Sequence, residues 1–428
     1  MSPPTLARGL SPVRAQLPNG AVAIAQQNVA APAVAVQLVF AAGSFHDPRT
    51  LPGLAYLTSL VIDRGTRRHS ADAIAEELDD RGVSLRVSVT RHAFAISCIC
   101  LAEDFSELLA LIGDIVRDPV FTEVEIEKRR SEAITGLRQD ADSTATRSVE
   151  TLMTLLYGGA HPYASPARGS VGSLQAIGRD DIVGFHSRFI APSALRVAVA
   201  GDVEPDLAIA DVRRHFSDWQ GRPTTPDIVP APEGQPGRQV VVIPMPGKAQ
   251  SDIAYGFTSI RRLDPRYYSY WLLNNVLGEF GLGGRLADNI RERQGMAYYA
   301  FSSLDGTVGE GPLVVRAGVD PNNVRRTIDA IDGEIRALAE HGPTIEELED
   351  SREALIGSIP RMLETNEAIA DFLQTAEFFG LGLDYDRRLP ELLGQVTLDE
   401  VQQAARELLR ADDASIAIAG PHASGELT

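Results

Sequence analysis

Between Gly281 and Ser303 the chain reads GLGGRLADNIRERQGMAYYAFSS, the stretch whose residue types and spacing come nearest to a chemical site. Arg291 carries a permanent cation and a fork of N–H donors, and Tyr298 a phenolic donor. A short charged helix with Leu286 and Ile290 on one side, a stop at Gly295 and a strand restarting at Ala297 would fold the chain back. Both side chains could then meet one polar substrate group. Gly281, Gly283 and Gly284 supply turn geometry, and Gly283 and Gly284 are candidates for approach to substrate backbone. Arg285 reads as a salt-bridging helix residue, and Tyr299, by strand alternation, as packing.

Other chemistries find little support. A self-contained zinc peptidase needs two His on one helical face plus a carboxylate and an acid for the metal-bound water. His46, His69, His92, His161, His186, His215, His341 and His422 include no pair at helical spacing. There is no G-x-S-x-G elbow, and the glycines after 280 lack the Lys-Ser/Thr of a phosphate loop. Cys98 and Cys100, two apart in the alternating run AFAISCICL, share a strand face and read as core rather than as a disulfide or redox pair.

The elements that must position the candidate pair come from a long, acidic, globular chain. Its 428 residues are 44% hydrophobic and carry a net charge of −18, so large cores are available and nucleic acid and anionic membranes are disfavoured as partners. No apolar run approaches the length of a membrane span, and the first twenty residues lack the apolar core of a signal peptide. A cytoplasmic chain is expected, or a periplasmic one numbered after removal of a leader.

The periodicities predict strands around VAIAQQ, AVAVQLVF, VSLRVSVT, AFAISCICL and LRVAVAGDV. Helices are expected from Gly53 to about Asp63, from Ser70 to Arg81 with Ser70 as cap, and at about 104–117, 122–139, 144–157 and 205–216. The segment from Trp219 to Gly237 holds five prolines and three glycines and reads as a linker. Beyond it the chain repeats itself. Asp47-Pro48 recurs as Asp264-Pro265, TEVEIEKRRSEAITG from Thr122 as TIEELEDSREALIG from Thr344, and LRVAVAGDV as ASIAIAGPH. A nearly constant offset implies duplication of an α+β unit. The expected organisation is an α+β fold of two homologous domains, 1–218 and 238–428 about a 219–237 linker. Each domain would be an antiparallel sheet with helices mainly on one face.

With these stretches in hand, the chain resembles the pitrilysin or insulinase-like family of inverted zinc peptidases, in its short-chain branch of paired subunits. GLAYLTSLVIDRGTRRHSADAIAEELDDRGVSL is similar to the family segment built on H-x-x-E-H. There the two His ligands and the general-base Glu fall on positions held here by Tyr56, Leu60 and Ser59. The third ligand, a Glu further on, falls near Gly136 or Leu137. All four metal-site groups are missing, whereas GGRLADNIRERQGMAYYAFSS keeps the family's Arg and Tyr at the same separation.

The resemblance implies half of a clam-like peptidase chamber and a zinc-free subunit. A homologous partner would hold the zinc, this chain would hold no cofactor, and Arg291 and Tyr298 would contact a peptide substrate and the oxyanion formed on its carbonyl. Two alternatives descend from the same family: a non-catalytic structural subunit and a peptide-binding homodimer.

Overall fold

The structure is a computed structural model that describes residues 9–221, 228–233, 236–279 and 283–427. Gly281, the first eight residues and parts of the linker segment lie outside the described residues. Two mixed sheets organise the chain. The first joins β1 (Val13–Gln16), β2 (Val22–Gln27), β3 (Ala33–Phe40), β4 (Arg86–Val89), β5 (Phe94–Leu101) and β6 (Leu195–Gly201) in the order β1-β2-β6-β3-β5-β4. The second joins β7 (Gln239–Pro244), β8 (Ser251–Thr258), β9 (Ala297–Leu304), β10 (Pro312–Val319) and β11 (Ser415–Gly420) in the order β7-β11-β8-β10-β9.

The order β2-β6-β3-β5-β4 is reproduced by β7-β11-β8-β10-β9, so the duplication inferred from the markers holds in topology. Each sheet also contains one parallel pair, β2 with β6 and β7 with β11, among antiparallel neighbours. The late strand of each half closes its sheet beside the early one, a crossover that hairpin logic does not anticipate.

The chain packs as two compact units, each of which takes a segment from the other half of the sequence. The first gathers Met1–Leu137, Pro166–Pro226 and Ser358–Arg388; the second gathers Arg138–Ser165, Asp227–Gly357 and Leu389–Thr428. The reason lies in the central strands. β6 and β11 are buried at nearly every residue, which requires cover on both sheet faces.

In the first unit the helix Asn366–Phe378 lies on β3 and β6. Gln374 donates from Nε2 to the carbonyls of Gln37 and Arg196 at 2.8 and 2.9 Å, and Arg14 forks onto Glu377 at 2.9 and 2.8 Å. Helices therefore cover more than the single face expected from sequence. The core on this side includes Leu38, Phe40, Phe94, Ile96, Leu108 and Phe216. Cys98 and Cys100 are buried and free, their thiols pushed up to about 12 chiefly by burial. In the second unit the helix Thr144–Tyr157 covers β8 and β11 in the reciprocal way.

Candidate functional site

The Arg291–Tyr298 stretch forms a wide helical turn followed by an edge strand. Residues Ala287–Arg293 form a π-helix, anchored by the fully buried Leu286 and Ile290. Asn289 accepts the N–H of Gln294 at 3.1 Å, and Arg291 accepts that of Gly295 at 3.2 Å. Gly295 adopts φ +60°, the left-handed conformation that reverses the chain at little steric cost. Met296 then bonds back to Ile290 at 3.0 Å, and β9 begins at Ala297 as the outermost strand of its sheet.

At its start β9 is out of step with β10. Ala297 pairs with Val319 and Tyr299 with Gly318, leaving Tyr298 without a cross-strand partner. Such a bulge turns a side chain away from the regular alternation. The Tyr298 ring is 76% exposed, which is unusual for a strand aromatic. Its neighbour Tyr299 is packed. Its ring lies over Gly318, where a Cβ would meet it, and its hydroxyl donates to the buried Asp252 carboxylate. Thr144 and Gln250 also donate to Asp252, and the Tyr299 phenol is pushed up by burial and by this carboxylate.

Arg291 is likewise solvent-facing, its nearest ionic neighbour being Glu292 at 3.6 Å. Among the described residues no hydrogen bond joins Arg291 to Tyr298, so the turn places them on adjacent arms without fastening either. Arg285, by contrast, forks onto Glu347 at 2.6 and 2.7 Å. Gly283 is exposed. Gly284 is buried, and a Cβ there would come within 2.8 Å of the Gly278 Cα, so a backbone crossing requires this glycine.

Tyr56, Ser59 and Leu60, at which the family resemblance puts metal-site residues, sit on the helix Leu54–Val61. Asp47 fixes its start by accepting the N–H groups of Gly53 and Ala55 at 2.7 and 2.8 Å, and burial pushes its carboxyl up to about 7. Ser59, 4% exposed, donates its hydroxyl to the Tyr56 carbonyl at 2.7 Å. Leu60 and Tyr56 pack against the core, with the Arg168 guanidinium 5.2 Å above the Tyr56 ring. These groups do not fit a divalent metal ion. Among the described residues no cluster of three or more His, Cys, Asp or Glu could hold one.

One further arrangement has the order of a nucleophile, base and orienting acid. Ser251 and His422 Nε2 are 2.9 Å apart, but His422 Nδ1 is 4.0 Å from Glu426 and Ser251 is fully enclosed. No substrate carbonyl reaches it, so the pair is structural.

Residues 22–161 match the family described as Insulinase (Peptidase family M16), and residues 176–355 match the Peptidase M16 inactive domain. The chain belongs to the M16 peptidase family. Similar M16 relatives include the uncharacterized zinc protease Rv2782c of Mycobacterium tuberculosis, 26% identical over 99% of this chain and 96% of its own length. The non-peptidase homolog YmxG of Helicobacter pylori is 23% identical over 92% and 90%. Among solved structures, a peptidase M16 inactive domain from Pseudomonas fluorescens superposes with a TM-score of 0.89 at 24% identity, covering 97% of this chain and 98% of that one. A Helicobacter pylori protease superposes at 0.88 with 17% identity, covering 96% and 100%.

The bulge at Tyr298 and the Asp47 cap escaped sequence reading. Gly318 opposite an aromatic pair was the only signal of the former, and an Asp-Pro before a helix start the signal of the latter.

Proposed function

We propose that this M16 chain is the zinc-free subunit of a two-chain zinc peptidase and contributes Arg291 and Tyr298 to peptide cleavage on a homologous partner. The observation that carries the reading is the bulge. It leaves Tyr298 76% exposed beside a solvent-facing Arg291 whose ionic neighbour is the exposed Glu292, on a chain in which the resemblance's His and Glu positions hold none of those residues. Arg291 offers fixed N–H donors to substrate carbonyls, and Tyr298 donates to the oxyanion that grows as the scissile carbonyl is attacked. The partner's zinc would supply the activated water. An acidic chain of this charge favours basic peptides as substrates.

A structural or homodimeric peptide-binding role is the second reading, favoured by the name non-peptidase homolog carried by the Helicobacter pylori relative. Mixing purified chain with a homologous subunit bearing H-x-x-E-H decides between them. The peptidase reading expects cleavage of a fluorogenic peptide to rise well above that of either chain alone. Equal activity of the partner by itself sinks it.

A further inference from the structure

A charged side chain lies over the helix position at which the family resemblance puts a metal ligand. Three elements converge on Arg168. The loop carrying it docks on the start of the helix Leu54–Val61. Gly53, at φ +93°, faces the Arg168 carbonyl so closely that a Cβ would come within 2.8 Å, and Ser173 donates to the Pro52 carbonyl at 2.7 Å. Gly169, at φ +72°, turns the chain against Pro52. From this anchored backbone the guanidinium reaches over Tyr56 at 5.2 Å. Its Nη2 also lies 2.8 Å from where a Cβ on Gly136 would stand. Gly136 is in the interior of the helix Glu123–Asp140.

Position 56 is one of those at which the family resemblance puts metal ligands, and another falls near Gly136 or Leu137. We infer that the Arg168 guanidinium is lodged between the former ligand positions as a fixed cation, so that replacing the lost donors is not enough to recover metal binding. A divalent ion and a guanidinium cannot share the space, and their charges repel. Gly136 is the complementary half of the arrangement, since any side chain there competes with Arg168. A guanidinium donates N–H groups but has no coordination position for water, so the position loses the means to activate a nucleophile. The inference rests on the family reading of these positions and is independent of any partner.

Its test is metal uptake by the full chain, read from the visible absorption of tetrahedral Co²⁺. Tyr56→His/Leu60→His combined with Gly136→Glu or, in a second variant, with Leu137→Glu is expected to take up no Co²⁺ above the unsubstituted protein while Arg168 is retained. Adding Arg168→Leu is expected to tighten uptake at least a hundredfold. Equal uptake with and without Arg168 overturns the inference, as does absence of uptake in both when circular dichroism finds both folded.

A second measurement decides the matter if those variants fail to fold. An alanine in place of a helix-interior glycine ordinarily stabilises. Gly184, in the helix Arg179–Phe189, has open space around its Cβ position, so Gly184→Ala is expected to raise the melting midpoint. Gly136→Ala is expected to raise it less than Gly184→Ala does, because the Arg168 guanidinium must shift, and to gain the missing part in an Arg168→Leu background. A rise for Gly136→Ala in the unsubstituted protein equal to that in the Arg168→Leu background overturns the inference.

Discussion

Two regions of this chain stand where the family resemblance puts the two parts of a metallopeptidase site, and their surroundings differ in opposite ways. On the helix Leu54–Val61 each position is closed off. The Ser59 proton is spent on the Tyr56 carbonyl, the half-buried Leu60 packs against the core, and Arg168 lies over Tyr56. On the turn before β9 the reverse holds: Tyr298 and Arg291 face solvent, while the residues beside them, Tyr299, Arg285, Leu286 and Ile290, are all engaged. Packing replaces chemistry in the first region. In the second, packing is arranged around two side chains and leaves them out.

The sharpest way to break that contrast is Tyr298→Phe in a reconstituted pair. Loss of one oxyanion donor costs roughly 2.7–4 kcal/mol, or 10²–10³ in kcat. Stability should not change, because the hydroxyl has no partner among the described residues. Cleavage at an undiminished rate would remove the functional reading of the bulge.

Tyr299→Phe, one residue away, should do the opposite. Removing a donor from the buried Asp252 costs about 1–3 kcal/mol of stability, and any rate change should be secondary to it. Thermal unfolding and cleavage rates of the two variants therefore form a two-by-two comparison. A Tyr298 variant that melts early with normal turnover would invert the assignment.

How much of this was readable beforehand depends on the range of the cause. Expected helices near 104–117, 122–139 and 144–157 match Phe105–Arg117, Glu123–Asp140 and Thr144–Tyr157, and Ser70 caps its helix through Ala73, because apolar period and caps are local. The Arg291–Gly295–Tyr298 turn was legible for the same reason. The reciprocal exchange of segments 138–165 and 358–388 was not, since either helix is equally amphipathic against any sheet. Nor was Arg168, which meets Tyr56 and Gly136 only after three distant segments pack. The bulge depends on register between β9 and β10, which no single strand encodes.

Asp47 offers a pH test of how tightly the filled region is held. Burial raises its folded pKa to about 7, above an unfolded value of about 3.9. Below both values the group is protonated in either state. Between about pH 4 and 7 the folded chain holds a proton that the unfolded chain releases, so its contribution falls as pH rises, by at most about 1.4 kcal/mol per unit. Above 7 the loss is complete. Asp47→Asn removes this dependence, so the stability difference between the two proteins should shift between pH 5 and 8 in favour of the variant. Parallel urea-midpoint curves would show that the carboxyl titrates normally.

Ser59→Ala should have the smallest effect, and its smallness is informative. Ser59 stands where the resemblance places a general base, yet its hydroxyl is a local donor to a carbonyl three residues back on the same helix. Its removal forfeits one hydrogen bond of about 1 kcal/mol, partly offset by the better helix propensity of alanine. The carbonyl of Tyr56 keeps a second lone pair for its helical partner, so no orphaned group remains. A midpoint shift below about 1 kcal/mol and unchanged cleavage in the reconstituted pair are therefore expected, measured by urea unfolding and peptide turnover. A tenfold loss of rate at constant stability would mean that the closed region still acts on the substrate, and the division of roles between the two regions would have to be abandoned.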